Sequence, residues 1–254
     1  MEIRLTNQVA LVTGGSRGIG AAAVRLFAQA GARVVFNYRK AATEARRLVQ
    51  ECGGEKRAVA VRADVSRMAD AKKLVSEARR RFGGADILVA NAGIWNAQPA
   101  PIETMSETQW DEMMAVNMKG VYSVIHYAVP LMKRRKSGRI IVVSSTAGQR
   151  GESFHSHYGA SKGGVISLVK GLSTELAPHN ILVNCVAPGW VDTDMAASVT
   201  KFPRELRKAT RNIPLRRFAR PEEIAMPILF LASKMASYMT GEVVNVNGGN
   251  VLCG

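Results

Sequence analysis

The stretch Thr13-Gly14-Gly15-Ser16-Arg17-Gly18-Ile19-Gly20 follows an apolar run at 9–13 and opens a helical pattern at 18–30 that stops at Gly31. An apolar strand turning through glycines into a helix is the arrangement that holds a pyrophosphate in doubly wound α/β sheets. Glycines let the backbone approach the phosphates, and the helix N-terminus presents N–H donors and partial positive charge. The spacing is Gly-x-x-x-Gly-x-Gly, through Gly14, Gly18 and Gly20, rather than Gly-x-Gly-x-x-Gly. No Gly-Lys-Ser/Thr follows, which disfavours a nucleoside-triphosphatase loop. A glycine turn alone has a purely structural reading; its place after the first strand favours the dinucleotide one.

Working outward, apolar runs alternate with helical patterns along the chain. Strands are predicted at 33–37, 58–62, 87–90, 139–144, 181–186 and 242–246. Helices are predicted at 42–52, 67–82, 158–176 and 221–233, with one or two more between 109 and 135. Ile140-Ile141-Val142-Val143 is apolar at every position, as expected of a strand buried on both faces. The pattern predicts an α/β fold: one doubly wound Rossmann domain over 1–254, with about seven parallel strands between helical layers. The least regular segment is 192–220, which carries many charges with Pro203 and Pro214; it is the expected substrate lid.

The second strand ends at Asn37-Tyr38-Arg39. An acid is usual here, accepting the adenosine ribose hydroxyls. Asn37 stands in its place, and Arg17 and Arg39 can flank a 2′-phosphate. This favours NADP, with NAD as the weaker alternative. The bland reading is two ordinary surface arginines.

The 254 residues carry 35 Lys+Arg against 20 Asp+Glu, a net charge of +15. Such a surface attracts nucleic acid, phosphorylated cofactors or an acidic protein, or it reflects compositional bias alone. No nucleic-acid reading element accompanies it, so nucleic acid is not the expected partner. Cys52, Cys185 and Cys253 form no disulfide framework, and His126, His155, His157 and His179 complete no metal set. No apolar run approaches the ~20 residues of a membrane span, and no signal-peptide pattern opens the chain. A cytoplasmic protein without bound metal is expected.

Two further residues carry chemistry by their spacing. Tyr158 and Lys162 lie four apart on a predicted helix, so they share a face. A nearby ammonium favours a phenolate and tunes tyrosine for acid–base work. Ser145, at the end of a predicted strand, can donate to a carbonyl oxygen; it can equally be a helix cap.

In order along the chain, the motifs Thr13 to Gly20, Asp64, Asn91-Ala92-Gly93, Asn117, Ser145, Tyr158-x-x-x-Lys162 and Pro188-Gly189 resemble the classical short-chain dehydrogenase/reductase family over essentially the whole length. The resemblance implies Tyr158 as proton donor in reduction and Ser145 as the group that orients the carbonyl. It implies Lys162 on the nicotinamide ribose and Asn117 holding a water in a proton relay. Cofactor contacts are implied for Gly14, Ser16, Arg17, Gly18, Ile19, Gly20, Asn37, Arg39, Asp64, Val65, Asn91, Ala92 and Gly93. Tyr158, Lys162, Pro188, Gly189, Val191 and Thr193 complete that set. For Asn91 the alternative is a turn former.

Within the family the pattern resembles above all the 3-oxoacyl-acyl-carrier-protein reductases of fatty-acid biosynthesis. Glucose 1-dehydrogenases and broad-specificity alcohol dehydrogenases remain alternatives, and an NADP-binding scaffold is the non-enzyme one. An acidic acyl carrier protein is then an expected partner. Lys136, in Lys133-Arg134-Arg135-Lys136, matches a docking position of these reductases, whereas His179 replaces a second, basic one. Between Ser145 and Tyr158, Arg150, Glu152 and His155 suit a polar substrate, while Trp95 and Trp190 offer apolar walls. A homotetramer is expected through the helices at 109–135 and 158–176, with the tail at 247–254 near a neighbouring subunit.

Overall fold

A computed structural model describes residues 2–252. Cys253, at the end of the tail, lies outside the described residues. In chain order the elements are β1 (Val9–Val12), α1 (Gly18–Gln29), β2 (Arg33–Tyr38), α2 (Ala42–Glu51), β3 (Ala58–Arg62), α3 (Met68–Phe82) and β4 (Ile87–Ala90). There follow α4 (Glu107–Met114), a π turn (Ala115–Lys119), α5 (Gly120–Arg135), β5 (Gly138–Val143), α6 (Ala147–Arg150) and α7 (Ser156–Leu176). The chain continues with β6 (Ile181–Pro188), α8 (Ala197–Thr200), α9 (Pro203–Arg211), α10 (Pro221–Ala232) and β7 (Val243–Val246).

The seven strands form one sheet in the order β3-β2-β1-β4-β5-β6-β7. All pairs are parallel, with Val12 opposite Phe36 and Val89 opposite Ile141. Alternate strand residues feed opposite faces. Ala10, Val12, Ile141 and Val143 pack with Phe27 of α1 and Ile228 of α10. Leu11, Ile140 and Val142 pack with Leu74 of α3, Val124 of α5 and Val169 of α7. This two-sided burial is the physical reason the strands read as unbroken apolar runs. The strand order reverses at β1, which has β2 on one side and β4 on the other, and such a switch point opens a crevice at the strands' C-terminal ends.

Two regions differ from the sequence expectation. The helix expected to begin near 109 begins at Glu107, because Ser106 caps it. The Ser106 hydroxyl accepts from the Gln109 N–H at 3.2 Å, and the Gln109 side chain accepts from the Ser106 N–H at 2.9 Å. The segment 192–220, irregular in its sequence pattern, is largely helical through α8 and α9. Pro203 starts α9 at a position where its missing N–H costs nothing. Leu206 and Ala209 lean on a small core of Ala196, Ile213 and Phe218. The charges between these residues obscure their helical spacing.

Candidate active site

The glycine turn is built as a cradle. Gly14 has φ +64°, and a Cβ on Gly20 would stand 2.2 Å from the Gly14 carbonyl oxygen. Arg17 occupies the N-cap of α1 without a side-chain cap, and no acid sits in the first turn. The first N–H groups of α1 therefore have no side-chain acceptor, which is the donor set a diphosphate needs. Ser16 is buried in the turn, and Ile19 packs onto the core. Asn91 and Thr13 lock the turn to β4. The Asn91 amide donates to the Thr13 carbonyl at 2.9 Å, and the Thr13 hydroxyl accepts from the N–H groups of Asn91 and Ala92. The turn-former reading of Asn91 describes its side chain.

Asn37 has a task that its sequence position does not reveal. Its side chain accepts from the Gly14 N–H at 2.9 Å and donates to the Ala63 carbonyl at 2.8 Å. With both ends of the amide engaged and the residue buried, Asn37 shapes the turn. Replacing it with Ala leaves two polar partners unpaired, at about 1–3 kcal/mol each. Denaturant unfolding of Asn37→Ala should show a loss of about 2–6 kcal/mol; an unchanged midpoint would contradict this role.

Beyond the C-terminal ends of β2 and β3, Arg39 approaches Asp64 at 3.6 Å. Burial works against the Asp64 carboxylate, but hydrogen bonds from Ser66 and the Arg39 charge bring its pKa below the usual value. Val65 packs under Gly120, where α5 begins. Arg17 pairs with Asp194 at 3.3 Å, tying the glycine turn to the segment after β6. Thr193 lies in the same place, its methyl 3.1 Å from the Cβ position of Gly18. Pro188 ends β6 and accepts from the Thr146 N–H at 2.9 Å; the Gly189 N–H donates to Val246. Val191 bridges to Ala219.

Beyond β4 and β5 the acid–base residues converge. Tyr158 is buried beside Ser145, whose hydroxyl oxygen accepts from the Ala147 N–H at 3.1 Å. Lys162, 5% exposed, donates from Nζ to the Val143 carbonyl at 2.9 Å and lies 5.9 Å from the Tyr158 ring centroid. Gly93 lies against Lys162 and Asn117: its Cβ position is 3.2 Å from Asn117 Oδ1 and 3.4 Å from Lys162 Nζ. Asn117 sits in the π turn with its amide engaged by Ile94, accepting from the N–H at 2.8 Å and donating to the carbonyl at 2.9 Å. Single π turns of this kind recur at functional sites.

One electrostatic expectation is reversed. Spacing alone predicts that the lysine lowers the tyrosine pKa. Burial dominates instead and pushes Tyr158 up to about 12, against the downward pull of the neighbouring Ser145 hydroxyl. Burial also brings Lys162 down to about 8. At neutral pH both groups carry their protons.

The apolar walls expected from Trp95 and Trp190 join a longer aromatic chain. His155 stacks on Trp95 at 5.3 Å, Trp95 meets Trp190 edge-on at 5.7 Å, and Trp190 stacks on Phe218 at 5.2 Å. Trp95 also packs in the cluster that holds Tyr158. No sequence signal shows that His155 and Phe218 close this wall, because the four residues lie on separate loops. His155 Nδ1 contacts the Ser153 carbonyl at 3.1 Å, and its buried Nε2 has no partner. Burial raises the pKa of the neighbouring Glu152.

Other features lie apart from this corner. Lys133–Lys136 precedes β5, at the N-terminal edge of the sheet, so within one chain about 20 Å of strand separates it from Ser145. Arg135 is engaged there by Asp86 and the Gly83 carbonyl. A cleft of about 430 Å³ between α1 and α2 is lined by Arg25, Glu51 and Cys52. Arg25 and Glu51 pair at 2.7 Å and burial raises the Cys52 pKa, so that cleft presents no activated nucleophile. Among the described residues no His/Cys/Asp/Glu group could hold a metal, and no helix is long and apolar enough to cross a membrane.

A parallel sheet with its glycine cradle at the switch point, and Ser, Tyr and Lys grouped beyond it, defines a dinucleotide-dependent oxidoreductase. The chain belongs to the short-chain dehydrogenase/reductase family, NAD(P)-dependent enzymes acting on carbonyl or alcohol groups. Residues 14–250 match the family model described as enoyl-(acyl carrier protein) reductase. The chain is 40% identical over 252 residues to the 3-oxoacyl-(acyl-carrier-protein) reductase of Thermotoga maritima, covering 98% of this chain and 100% of that protein. It is 39% identical to the acetoacetyl-CoA reductase of a Synechocystis strain, over 98% of this chain and 99% of that one. A solved Brucella melitensis structure described as a glucose/ribitol dehydrogenase superposes with a TM-score of 0.92 at 34% identity, covering 100% of both chains.

Proposed function

We propose that the protein is an NADPH-dependent reductase of 3-oxoacyl thioesters, converting them to 3-hydroxyacyl forms. The grouping of Ser145, Tyr158 and Lys162 carries this reading, because it places a hydroxyl donor and a proton donor around one position. Bound NADPH would supply the hydride to the carbonyl carbon. Ser145 holds the carbonyl oxygen, and Tyr158, protonated at neutral pH, delivers the proton to it. Lys162 holds the nicotinamide ribose and places its charge beside the phenol. Asn117 positions Ile94 and, through it, Trp95; since its amide is engaged, a water relay would use the backbone of the π turn. The thioester reading is supported by the identity to reductases of 3-oxoacyl-carrier-protein and acetoacetyl-CoA. Appearance of 3-hydroxybutyryl-CoA from acetoacetyl-CoA and NADPH tests it; recovery of unchanged thioester would contradict it.

NADP preference rests on Arg17 and Arg39 at the adenosine end. Arg39→Glu should raise KM for NADPH about ten-fold or more, since a charge-assisted phosphate contact becomes a repulsion. An unchanged KM would remove the arginine from the phosphate site. The segment 192–220 is read as the lid, fastened to the glycine turn by Arg17 and Asp194. A homotetramer is supported by exposed apolar residues along α4, the π turn and α5, among them Trp110, Met118 and Tyr122. An acidic acyl carrier protein is the proposed donor of the substrate.

A second reading has its own observation. The partnerless His155 Nε2 and the half-buried Glu152 beside the aromatic wall suit a polyol or sugar hydroxyl. The likeness to a glucose/ribitol dehydrogenase points the same way.

A further inference from the structure

The segment after β6 carries a surface that hydride transfer does not use. Residues 192–220 hold eight Lys/Arg against three Asp/Glu. On α9, Arg204, Arg207, Lys208 and Arg211 recur at i, i+3, i+4 and i+7, so they share one helix face. All four are exposed. Among the described residues none of the four joins an ion pair. By contrast, Arg217 and Arg220 reach Glu223 at 2.6 and 3.7 Å. On the other side of α9, Leu206 and Ala209 pack toward Ile213, Phe218 and Trp190. The helix is thus anchored on the aromatic wall and turns its charge outward.

Beside that charged face lies a cleft of about 270 Å³, lined by Arg150, Trp190, Glu205, Lys208, Asn212 and Asn250. Trp190 forms part of its wall and meets Trp95, which packs in the Tyr158 cluster. The cationic face, the cleft and the acid–base group are therefore linked through adjoining side chains. Nucleic acid would use the charge but not the cleft. An acidic protein that presents its thioester on a phosphate-bearing arm uses both.

We propose that the Arg204, Arg207, Lys208 and Arg211 face of α9 docks an acidic carrier protein, whose arm places its phosphate between Arg150 and Lys208. This rests on the thioester reading above. It moves the docking surface away from Lys133–Lys136, which lies at the opposite edge of the chain.

The test compares the wild-type protein with Arg204→Glu/Arg207→Glu/Arg211→Glu at saturating NADPH. Thermal melting and NADPH affinity check that the variant is folded. Binding of a bacterial holo-acyl carrier protein is measured directly, and the apo carrier, which lacks the arm, is measured beside it. Turnover is followed with acetoacetyl carrier protein and with the phosphate-free acetoacetyl-N-acetylcysteamine thioester. We expect Kd and KM for the carrier to rise about ten-fold or more in the variant, while turnover of the small thioester stays within about two-fold. The wild-type KM for the carrier should also rise with salt, and the variant's much less. Unchanged carrier binding in the variant would overturn the proposal. So would no carrier binding by the wild type, or loss of binding on Lys133→Glu/Lys136→Glu instead. Salt-sensitive duplex DNA binding lost in the α9 variant, without any carrier binding, would assign the face to nucleic acid and overturn the proposal. Carrier binding that depends on α9 without turnover of either thioester would support the docking face and refute the thioester reductase.

Discussion

Tyr158→Phe is expected to lose turnover by about 10²–10⁴-fold, the range for removing one acid–base group, while binding NADPH almost unchanged. The reason lies in where the hydroxyl sits. Tyr158 is packed among Met113, Ala147 and Trp95, so the ring of Phe fills the same space. Only the hydroxyl beside Ser145 disappears. Burial holds the tyrosine pKa at about 12, so at neutral pH the group is a full proton donor, as reduction requires. Near-normal turnover in the Phe variant would remove Tyr158 from the chemistry. A comparable loss of NADPH affinity would make it a cofactor-binding residue first.

Lys162→Met is the second large expectation. It should lower kcat by about 10²–10⁴-fold and raise KM for NADPH, because in the proposed mechanism the same ammonium serves the ribose and the phenol. Its stability should behave differently. Burial lowers the lysine pKa from 10.5 to about 8 in the folded chain. Between these values the unfolded chain binds a proton that the folded chain lacks, so wild-type stability gains on the variant as pH rises from about 8 to 10.5. Below about 8 both states are protonated, and the wild type carries a buried ammonium that Met replaces with an apolar chain. The Met variant therefore should melt no lower than the wild type by more than the effect of one orphaned carbonyl, that of Val143. A melting difference that stays constant from pH 7 to pH 11 would contradict the buried ammonium.

Much of this molecule is legible in its amino-acid sequence. The strands are legible because each is buried on both faces, which leaves unbroken apolar runs such as Ile140 to Val143. The glycine turn is legible because its backbone demands, at Gly14 and Gly20, can be met by almost no other residue. Tyr158 and Lys162 are legible through helical spacing. The role of Asn37 is hidden, because an amide that pins Gly14 to Ala63 acts across 26 residues of sequence. The π turn at Asn117 is hidden for a similar reason, as its side chain answers to Ile94 on another loop. The aromatic wall needs four loops to meet, so the sequence marks only its members. The electrostatics of Tyr158 run opposite to its spacing, since a neighbouring charge is readable in sequence while the depth of burial is not. The start of α4 is readable in Ser106-x-x-Gln109, two residues ahead of where the apolar pattern alone places it.

The same site accommodates both readings of the substrate, thioester or polyol, and the choice between them can be measured directly. Initial rates of NADPH loss with acetoacetyl-CoA are compared with NADP reduction in the presence of glucose, on the same preparation of the wild-type protein. The predicted result is rapid NADPH consumption with the thioester and no reduction of NADP with glucose. Glucose oxidation with no thioester turnover would contradict it.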